Sequence, residues 1–226
     1  MEIGVVRVAE DKDFSSLKEL LDNHIGWKLD YHKGPIKVWT KTLPNTNFKM
    51  IKVLATFTDI SPEVMYDVLH DPEYRKVWDQ HMIESHDIGY LNPNNDVGYY
   101  SMSCPSPLAN RDFVLQRSWL DLGSEKYILN HSVYHINYPP RKGFIRATSY
   151  LTMVKSLQKA TLGYLDWKSK NKPHWKPWHF PEQICSPRLN LVECQISDEE
   201  ATSKFSEEEE DLSMLKTPVK GKKSKK

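Results

Sequence analysis

Apolar and polar residues alternate along much of this chain, which predicts strands with one buried face. Gly26–Tyr31, Ile36–Thr42 and Phe48–Phe57 alternate in this way and are separated by short turns, so they predict a three-stranded antiparallel meander. A second group of strands is predicted further on, at Met82–Leu91, Asp96–Cys104, Asp112–Leu120, Lys126–Val133 and Phe144–Thr152. The pattern therefore favours an antiparallel, sheet-rich fold.

Four segments repeat their apolar residues at spacings of three and four, which predicts helices with one apolar face. The first is Asp13–Asn23, with Asp13 as a plausible cap, and the last is Met153–Asn171. The middle two begin with the same signal, because Ser61 and Asp71 each precede a proline, as a helix N-cap precedes a proline at the first helical position. Helices that interrupt and follow the strands place the fold in the α+β class.

The helix that begins at Asp71 carries Arg75 and Asp79 four residues apart, on one side of the helix and next to Trp78. A guanidinium and a carboxylate at this spacing can pair, and the guanidinium fork can also bind a phosphate. The spacing alone leaves two interpretations, an exposed ion pair that contributes little to stability or a phosphate-binding group.

Composition excludes several functional classes. The net charge of +1 gives no overall field that would draw the protein to nucleic acid. Cys104, Cys185 and Cys194 fit no metal-binding or redox spacing, and no nucleophile, phosphate-loop or zinc-protease motif occurs. No apolar run is long enough for a signal peptide or a membrane span. We therefore expect a monomeric cytoplasmic protein without enzymatic activity, metal or cofactor.

The C-terminal part is strongly segregated in charge. Ser197–Asp211 holds eight acidic residues, and 216–226 holds six lysines. Such blocks cannot bury a core, so we expect 172–226 to be disordered, as we expect 1–12 to be a short N-terminal tail. Ser197 and Ser206 each precede acidic residues, which is typical of sites for an acidophilic kinase, although an unmodified solvated tail fits equally well.

Several motifs occur in an order that resembles one family. They are Asp71–Gln80 with its Tyr-Arg-Lys-x-Trp-Asp core, Gly98–Tyr100, Cys104–Asp112, Arg117–Trp119 and Tyr138–Ala147. Together they resemble the START lipid-transfer domains, and among them the phosphatidylcholine-transfer subgroup, over about Asp13–Trp178. The resemblance implies a helix-grip fold, in which a curved antiparallel sheet packs against a C-terminal helix, with the lipid-binding domain spanning 13–171. It also implies a non-enzymatic carrier that holds one phospholipid in an inner tunnel.

The same resemblance assigns roles to individual residues. Arg75 matches the arginine that binds the lipid phosphate, and Asp79 matches the buried acid paired with it. Tyr100, Phe113 and Tyr150 match an aromatic cage around the headgroup ammonium, although three aromatic residues could also simply fill a core. Tyr100 stands where that subgroup has a tryptophan, so phosphatidylethanolamine joins phosphatidylcholine as a candidate ligand.

The chain departs from the family after Thr152. Where the family continues with the rest of a strand, a hairpin partner and half a helix, Met153 follows directly, so on the order of forty residues are missing. We interpret the chain as an alternative isoform or a mispredicted product, with an open sheet edge and an incompletely covered tunnel. The remaining helix is expected to contact membranes through Lys155, Lys159, Trp167 and Lys168.

Three functions compete at this stage. The first is transfer of phosphatidylcholine or phosphatidylethanolamine between membranes. The second is a truncated form that no longer transfers lipid and acts as an interaction or competitor protein. The third is a helix-grip enzyme, which lacks support because no acid, base or nucleophile is placed for catalysis.

Overall fold

Two β-sheets and four α-helices make up the part of the chain that the computed structural model describes, namely residues 2–43, 49–149 and 157–195. The helices are α1 (Asp11–Asp22), α2 (Pro62–His70), α3 (Pro72–Trp78) and α4 (Leu157–Lys170). The strands are β1 (Lys28–Lys33), β2 (Ile36–Thr42), β3 (Lys49–Ala55), β4 (Met82–Asn92), β5 (Asn95–Met102), β6 (Asn110–Asp121), β7 (Lys126–Ser132) and β8 (Phe144–Arg146). Two short 3-10 turns follow, at Pro181–Gln183 and Leu191–Cys194.

The strands form two separate sheets. The first is the predicted meander in the order β1-β2-β3, and the second follows the order β4-β5-β6-β7, all antiparallel. The three residues of β8 add to the second sheet in parallel with the start of β6, where Asn110 lies opposite Phe144. The α+β, antiparallel character predicted from the sequence is confirmed.

The end of the last strand and the start of the first helix differ from the expectations. The strand predicted to run to Thr152 is described as β8 only to Arg146, and 150–156 lies outside the described residues. At α1 the N-cap is Glu10, and Asp13 instead completes a capping box as the third helical residue. Asp13 also binds the guanidinium of Arg7 at 2.6 Å, so its burial is compensated by an ion pair.

The two predicted cap-and-proline signals are confirmed. The Ser61 hydroxyl accepts a hydrogen bond from the Val64 N–H. The Asp71 carboxylate accepts hydrogen bonds from the N–H groups of Glu73 and Tyr74, so it satisfies two of the four free donors at the start of α3.

Asp71 also connects α3 to α4 inside the core. Its other oxygen accepts hydrogen bonds from Lys168 Nζ at 2.8 Å and from the Tyr164 hydroxyl at 3.2 Å, and all three residues are buried. Gly163 lies at the contact between the helices, where a Cβ would come within 3.2 Å of the Tyr74 hydroxyl oxygen and would require Tyr74 to shift. The cluster of Val68, Tyr74, Ala160 and Tyr164 fills the contact.

The expectation that the chain is disordered from residue 172 is wrong for 172–195, which we call the C-terminal strap. The carboxylate of Asp67 in α2 holds it through three contacts, with Lys176 Nζ at 2.6 Å, Trp178 Nε1 at 2.7 Å and His179 Nε2 at 2.7 Å. Trp178 is only 8% exposed and packs against Tyr66 and Trp119. The aromatic residues of the strap supply the apolar surface that the acidic and lysine-rich blocks beyond it lack.

Candidate functional site

α3 and the second sheet bring together four of the five residues that the resemblance assigned to lipid binding. Tyr100 of β5 lies directly opposite Phe113 of β6, so the two rings share one face of the sheet, with their centroids 6.1 Å apart. The Tyr100 hydroxyl donates a hydrogen bond to Asp79 Oδ2 at 2.9 Å, and Arg75 lies beyond Asp79. The fifth residue, Tyr150, lies outside the described residues.

The guanidinium of Arg75 is held loosely. Its Nη1 lies 3.6 Å from Asp79 Oδ2, its Nη2 donates a long hydrogen bond of 3.4 Å to the Leu69 carbonyl, and its Cζ sits 5.1 Å from the centre of the Trp78 ring. The side chains of Arg75 and Asp79 are only 26% and 13% exposed, so the interpretation as a solvated surface pair does not hold. Several of the five N–H donors of Arg75 therefore remain available to a ligand, in a site that is partly shielded from water.

Burial and a neighbouring positive charge both destabilise the charged form of Arg75, so a negatively charged group beside it would be stabilising. Burial lowers the pKa of Arg75, and the nearby positive charge of Arg117 lowers it further. Burial together with the Asp79 carboxylate raises the pKa of the Tyr100 phenol, so Tyr100 stays a neutral hydrogen-bond donor. An anion beside Arg75 would be favoured by this arrangement.

A second arginine–aspartate pair, Arg117 with Asp96, was not singled out from the sequence. These residues lie opposite each other on β6 and β5, and the guanidinium meets both carboxylate oxygens, with Nε 3.2 Å from Oδ1. Their pairing depends on the register between two strands, which the sequence pattern alone does not specify. Because Arg117 is already held in a bidentate pair, Arg75 is the arginine whose donors are open to a ligand.

A cavity of about 110 Å³ lies beside the pair of Arg117 and Asp96, between the second sheet and the C-terminal strap. Its walls include Arg117, Trp119, Trp178 and the buried His70, whose Nε2 has no hydrogen-bond partner among the described residues. Small-molecule pockets usually measure about 300–1,000 Å³, so the acyl chains of a phospholipid do not fit in this cavity as it stands.

The structure does not support the membrane contacts predicted for two residues of α4. Lys168 is 5% exposed and bound to Asp71, and the ring of Trp167 packs 4.9 Å from that of Tyr74. Both residues face inward because the helical stripe that carries them is the one that packs on α3. Among the side chains of α4 that the structure describes, Leu162 and Leu165 are exposed apolar residues, at 66% and 63%.

The remaining predicted site residues cannot be placed. Lys155, Ser197 and Ser206 lie outside the described residues, and Lys159 belongs to α4 with a side chain outside the described part. Within the described ranges, no cluster of three or more His, Cys, Asp or Glu residues could hold a metal ion. In the same ranges, every helix is too short or too polar to cross a bilayer.

Comparison with known proteins gives a consistent result. Residues 7–163 match the model of the START domain family. START domain-containing protein 10 of Mus musculus is 36% identical over 244 residues, which cover 89% of this chain and 84% of that protein. The crystal structure of human STARD10 superposes with a TM-score of 0.78 at 37% identity, covering 85% of this chain and 97% of that one. Human phosphatidylcholine transfer protein is 26% identical over 189 residues, which cover 77% of this chain and 87% of that protein.

The alignment with the mouse protein also bears on the missing segment. It spans 244 residues, whereas 89% of the 226 residues here is about 201, so about 43 aligned positions have no counterpart in this chain. This total is similar in size to the roughly forty residues expected to be missing, and their place after Thr152 stays a prediction.

Proposed function

This chain belongs to the START domain family, and from this premise we propose that it binds a single phospholipid and carries it between membranes. The chain is not an enzyme, since its relatives are START lipid-transfer proteins. The proposed ligands are phosphatidylcholine and phosphatidylethanolamine. The proposed place of action is the cytoplasm with transient membrane contact, as a monomer.

The observation that carries the proposal is the loosely held guanidinium of Arg75. It has unfilled N–H donors and lies in a partly desolvated site. Its Nη1 is 3.6 Å from Asp79 Oδ2, the oxygen that also accepts the hydrogen bond from Tyr100. A phosphate diester offers two oxygens at the spacing of the guanidinium fork, so it would replace weak contacts with charge-assisted hydrogen bonds.

The aromatic residues beside this group suit the other half of the headgroup. The rings of Tyr100 and Phe113 share a face of the sheet next to Asp79, and Tyr150 is proposed as the third wall. A quaternary ammonium has no N–H donor and is held best by ring faces, whereas a primary ammonium can also donate to the Tyr100 oxygen or the Asp79 carboxylate. We propose that this site accepts both headgroups.

A second function is favoured by the division of the strands into two sheets. Because the outer edge of β3 has no partner strand among the described residues, part of the wall of a closed tunnel is open. A chain of this kind could bind lipid poorly and compete with a longer form for shared partners. We propose that it is an alternative isoform, with Ser197 and Ser206 as sites for an acidophilic kinase in its tail.

The experiment measures lipid capture and transfer with one matched control. Purified wild type, Arg75→Ala and Arg141→Ala are incubated with donor vesicles, and transfer to acceptor vesicles is followed with a fluorescent phosphatidylcholine. Arg141 is the control because it also forms an arginine–carboxylate pair, with Glu84, but on the surface, where its side chain is 53% exposed.

We expect Arg75→Ala to reduce transfer by at least ten-fold and to reduce the lipid found by mass spectrometry in the purified protein. Loss of one charge-assisted hydrogen-bonding group of this kind costs about 1.5–3 kcal/mol. Arg141→Ala should transfer at the wild-type rate. Transfer at no more than the background rate by both wild type and Arg75→Ala would refute the carrier function and favour the non-transferring form.

A further inference from the structure

The C-terminal strap lies against the same face of the second sheet as the candidate lipid site. Tyr100 lies opposite Phe113 in the ladder of β5 and β6, and Asp96 lies opposite Arg117 further along the same ladder. Each pair is four residues from the other along its strand, so both pairs share one face, about 13 Å apart. The cavity beside Asp96 and Arg117 has rings of the strap in its wall, among them Trp178. The strap therefore adjoins the surface that carries the proposed headgroup site.

The strap covers this end of the face with aromatic rings. Trp178 is only 8% exposed and packs against Tyr66 of α2 and Trp119 of β6. Trp119 lies two residues beyond Arg117 on the same strand, so it belongs to the same face. Acyl chains are also apolar, and they would shield the rings of Tyr66 and Trp119 from water as Trp178 does. The surface beneath the strap therefore suits lipid chains.

His70 lines the same cavity and brings an acceptor without a protein partner. Its Nδ1 donates a hydrogen bond to the Tyr66 carbonyl at 2.9 Å, so its Nε2 remains as an acceptor. Nε2 has no hydrogen-bond partner among the described residues, although His70 is only 1% exposed. Lifting the strap would give this atom access to water or to a polar group of the lipid. Opening therefore satisfies a group that the closed arrangement leaves unsatisfied by the protein.

The carboxylate of Asp67 forms the first attachment of the strap. Lys176 Nζ and His179 Nε2 contact it at 2.6 and 2.7 Å, and neither residue lines the cavity. Trp178 both binds Asp67 and lines the cavity. Hydrogen bonds that can be exchanged for bonds to water contribute little net free energy, so an attachment of this kind can open.

The strap is tied at both ends, so it can lift as a loop while its ends stay in place. At one end it continues directly from α4, which ends at Lys170. At the other end the Tyr90 N–H donates to the Pro187 carbonyl at 3.0 Å, and the Leu189 N–H donates to the Tyr90 carbonyl at 2.8 Å. The segment between these ends, 171–186, contains all the strap residues in the cavity wall.

We propose that the C-terminal strap closes the acyl-chain end of the lipid site and that the chains of a bound phospholipid displace it. The headgroup would stay at Arg75, while the chains take the place of Trp178 against Tyr66 and Trp119. This inference rests on the proposed function, and it adds where the chains lie and what must move to admit them. It also explains why a cavity of only about 110 Å³ adjoins a site that suits a phospholipid headgroup.

The test is hydrogen exchange of the full chain, read by mass spectrometry in the peptide that spans 174–186. The probes are a short-chain phosphatidylcholine, kept monomeric, and glycerophosphocholine, which has the same headgroup and no acyl chains. We expect phosphatidylcholine to speed exchange in this peptide by about ten-fold or more, because local opening exposes its amides. Glycerophosphocholine should leave the exchange unchanged.

A double variant loosens the attachment to Asp67 without changing the cavity wall, namely Lys176→Met/His179→Gln. Without lipid, exchange in the strap should rise by about ten-fold, the effect expected when a charge-assisted hydrogen bond is lost. Uptake of fluorescent phosphatidylcholine from vesicles should rise by a similar factor, since apparent affinity follows the fraction of open molecules. The matched control, Lys172→Met/His174→Gln, removes a lysine and a histidine that are exposed in the same strap and should behave like the wild type.

Three outcomes would overturn the inference. The first is binding of phosphatidylcholine by the wild type with unchanged or slower exchange in the strap, which would mean that the strap closes over the lipid. The second is equal opening by glycerophosphocholine. The third is equal exchange and uptake in the double variant and its control. Circular dichroism and the midpoint of thermal unfolding establish that both variants are folded, and the measurement on the wild type needs no substitution.

The strap mechanism and the carrier function fail separately. If the wild type captures lipid and the strap does not open, the carrier function stands without the strap mechanism. If the wild type captures no lipid but Lys176→Met/His179→Gln does, the strap closes the site and the carrier function of the unaltered chain fails. If neither protein captures lipid, both fail.

Discussion

The buried pair of Lys168 and Asp71 offers the sharpest test of how α4 is held to the rest of the domain. The side chains are 6% and 0% exposed, and their charged atoms are 2.8 Å apart. Asp71 also caps α3 and accepts a hydrogen bond from Tyr164, so its carboxylate joins the start of α3 to two side chains of α4. The change that tests this arrangement is Lys168→Met, which keeps most of the side-chain volume and removes the charge.

The loss of stability in Lys168→Met follows from the unpaired carboxylate that the substitution leaves in the core. Without Lys168 the Asp71 carboxylate stays buried with only neutral donors, and breaking a buried pair by removing one partner costs about 3–5 kcal/mol. Urea denaturation measures this loss. With a slope of about 2 kcal/mol per M for a domain of this size, the midpoint should fall by about 1.5–2.5 M.

The matched control is Lys170→Met, two residues further along the same helix. Lys170 pairs with Asp166 four residues away, but the two side chains are 68% and 78% exposed. An exposed pair of this kind contributes about 0.3–0.5 kcal/mol, so the midpoint should move by no more than about 0.25 M.

The double variant Asp71→Asn/Lys168→Met sharpens the test. Asparagine is also a good N-cap, so the double variant keeps the cap on α3 while it removes both buried charges. We expect it to be more stable than Lys168→Met alone, because no unpaired buried charge remains. The reasoning would be refuted if Lys168→Met lowered the free energy of unfolding by less than about 1 kcal/mol, or if the double variant were less stable than Lys168→Met.

Three further predictions concern His70, Tyr100 and, in the C-terminal strap, Trp178. Burial lowers the pKa of His70 well below 6.5, so below that pH the unfolded chain binds a proton that the folded chain does not. The free energy of unfolding should then decrease by up to about 1.4 kcal/mol per pH unit. His70→Phe should flatten this decrease between about pH 6.5 and 5 in urea titrations. Tyr100→Phe removes the donor to Asp79 and should weaken binding of phosphatidylethanolamine more than that of phosphatidylcholine, by about five-fold in competition assays with both lipids. Trp178→Ala removes a buried ring and a hydrogen bond to Asp67 and should cost about 3–5 kcal/mol, with early proteolysis of the strap.

Each of these has its own contradicting result. The pH argument fails if His70→Phe and the wild type lose stability in parallel below pH 6.5. The headgroup argument fails if Tyr100→Phe weakens both lipids equally. The strap argument fails if Trp178→Ala and Phe180→Ala, which changes a ring that is 45% exposed, are cleaved by protease at the same rate.

Local structure was largely predictable because its causes are local. A capping side chain and a proline are adjacent in sequence, so the starts of α2 and α3 could be derived from Ser61 and Asp71. The meander was predictable for the same reason, since alternation and short turns act over a few residues. The strap was missed because its order depends on Asp67, more than a hundred residues away in sequence.

The candidate site was predictable only in part. Arg75 and Asp79 were identified from their spacing and from the resemblance, and their proximity to Tyr100 and Phe113 agrees with it. Lys168 was also expected to contact membranes, yet the residue is buried. A lysine can be buried when it pairs with a buried carboxylate. The pattern of residues within α4 gives no information about the position of Asp71, so this pair could not be predicted from it.

The sequence by itself determined the class of fold, the two helix starts and the family, because these rest on periodicity, caps and motifs carried along the chain. Only the tertiary structure decided which charges are buried and which arginine has open donors. The physical reason is that burial and pairing depend on contacts between distant segments, such as Asp71 with Lys168 and Asp96 with Arg117. The energy of a charge is set by those contacts and not by its neighbours in the chain.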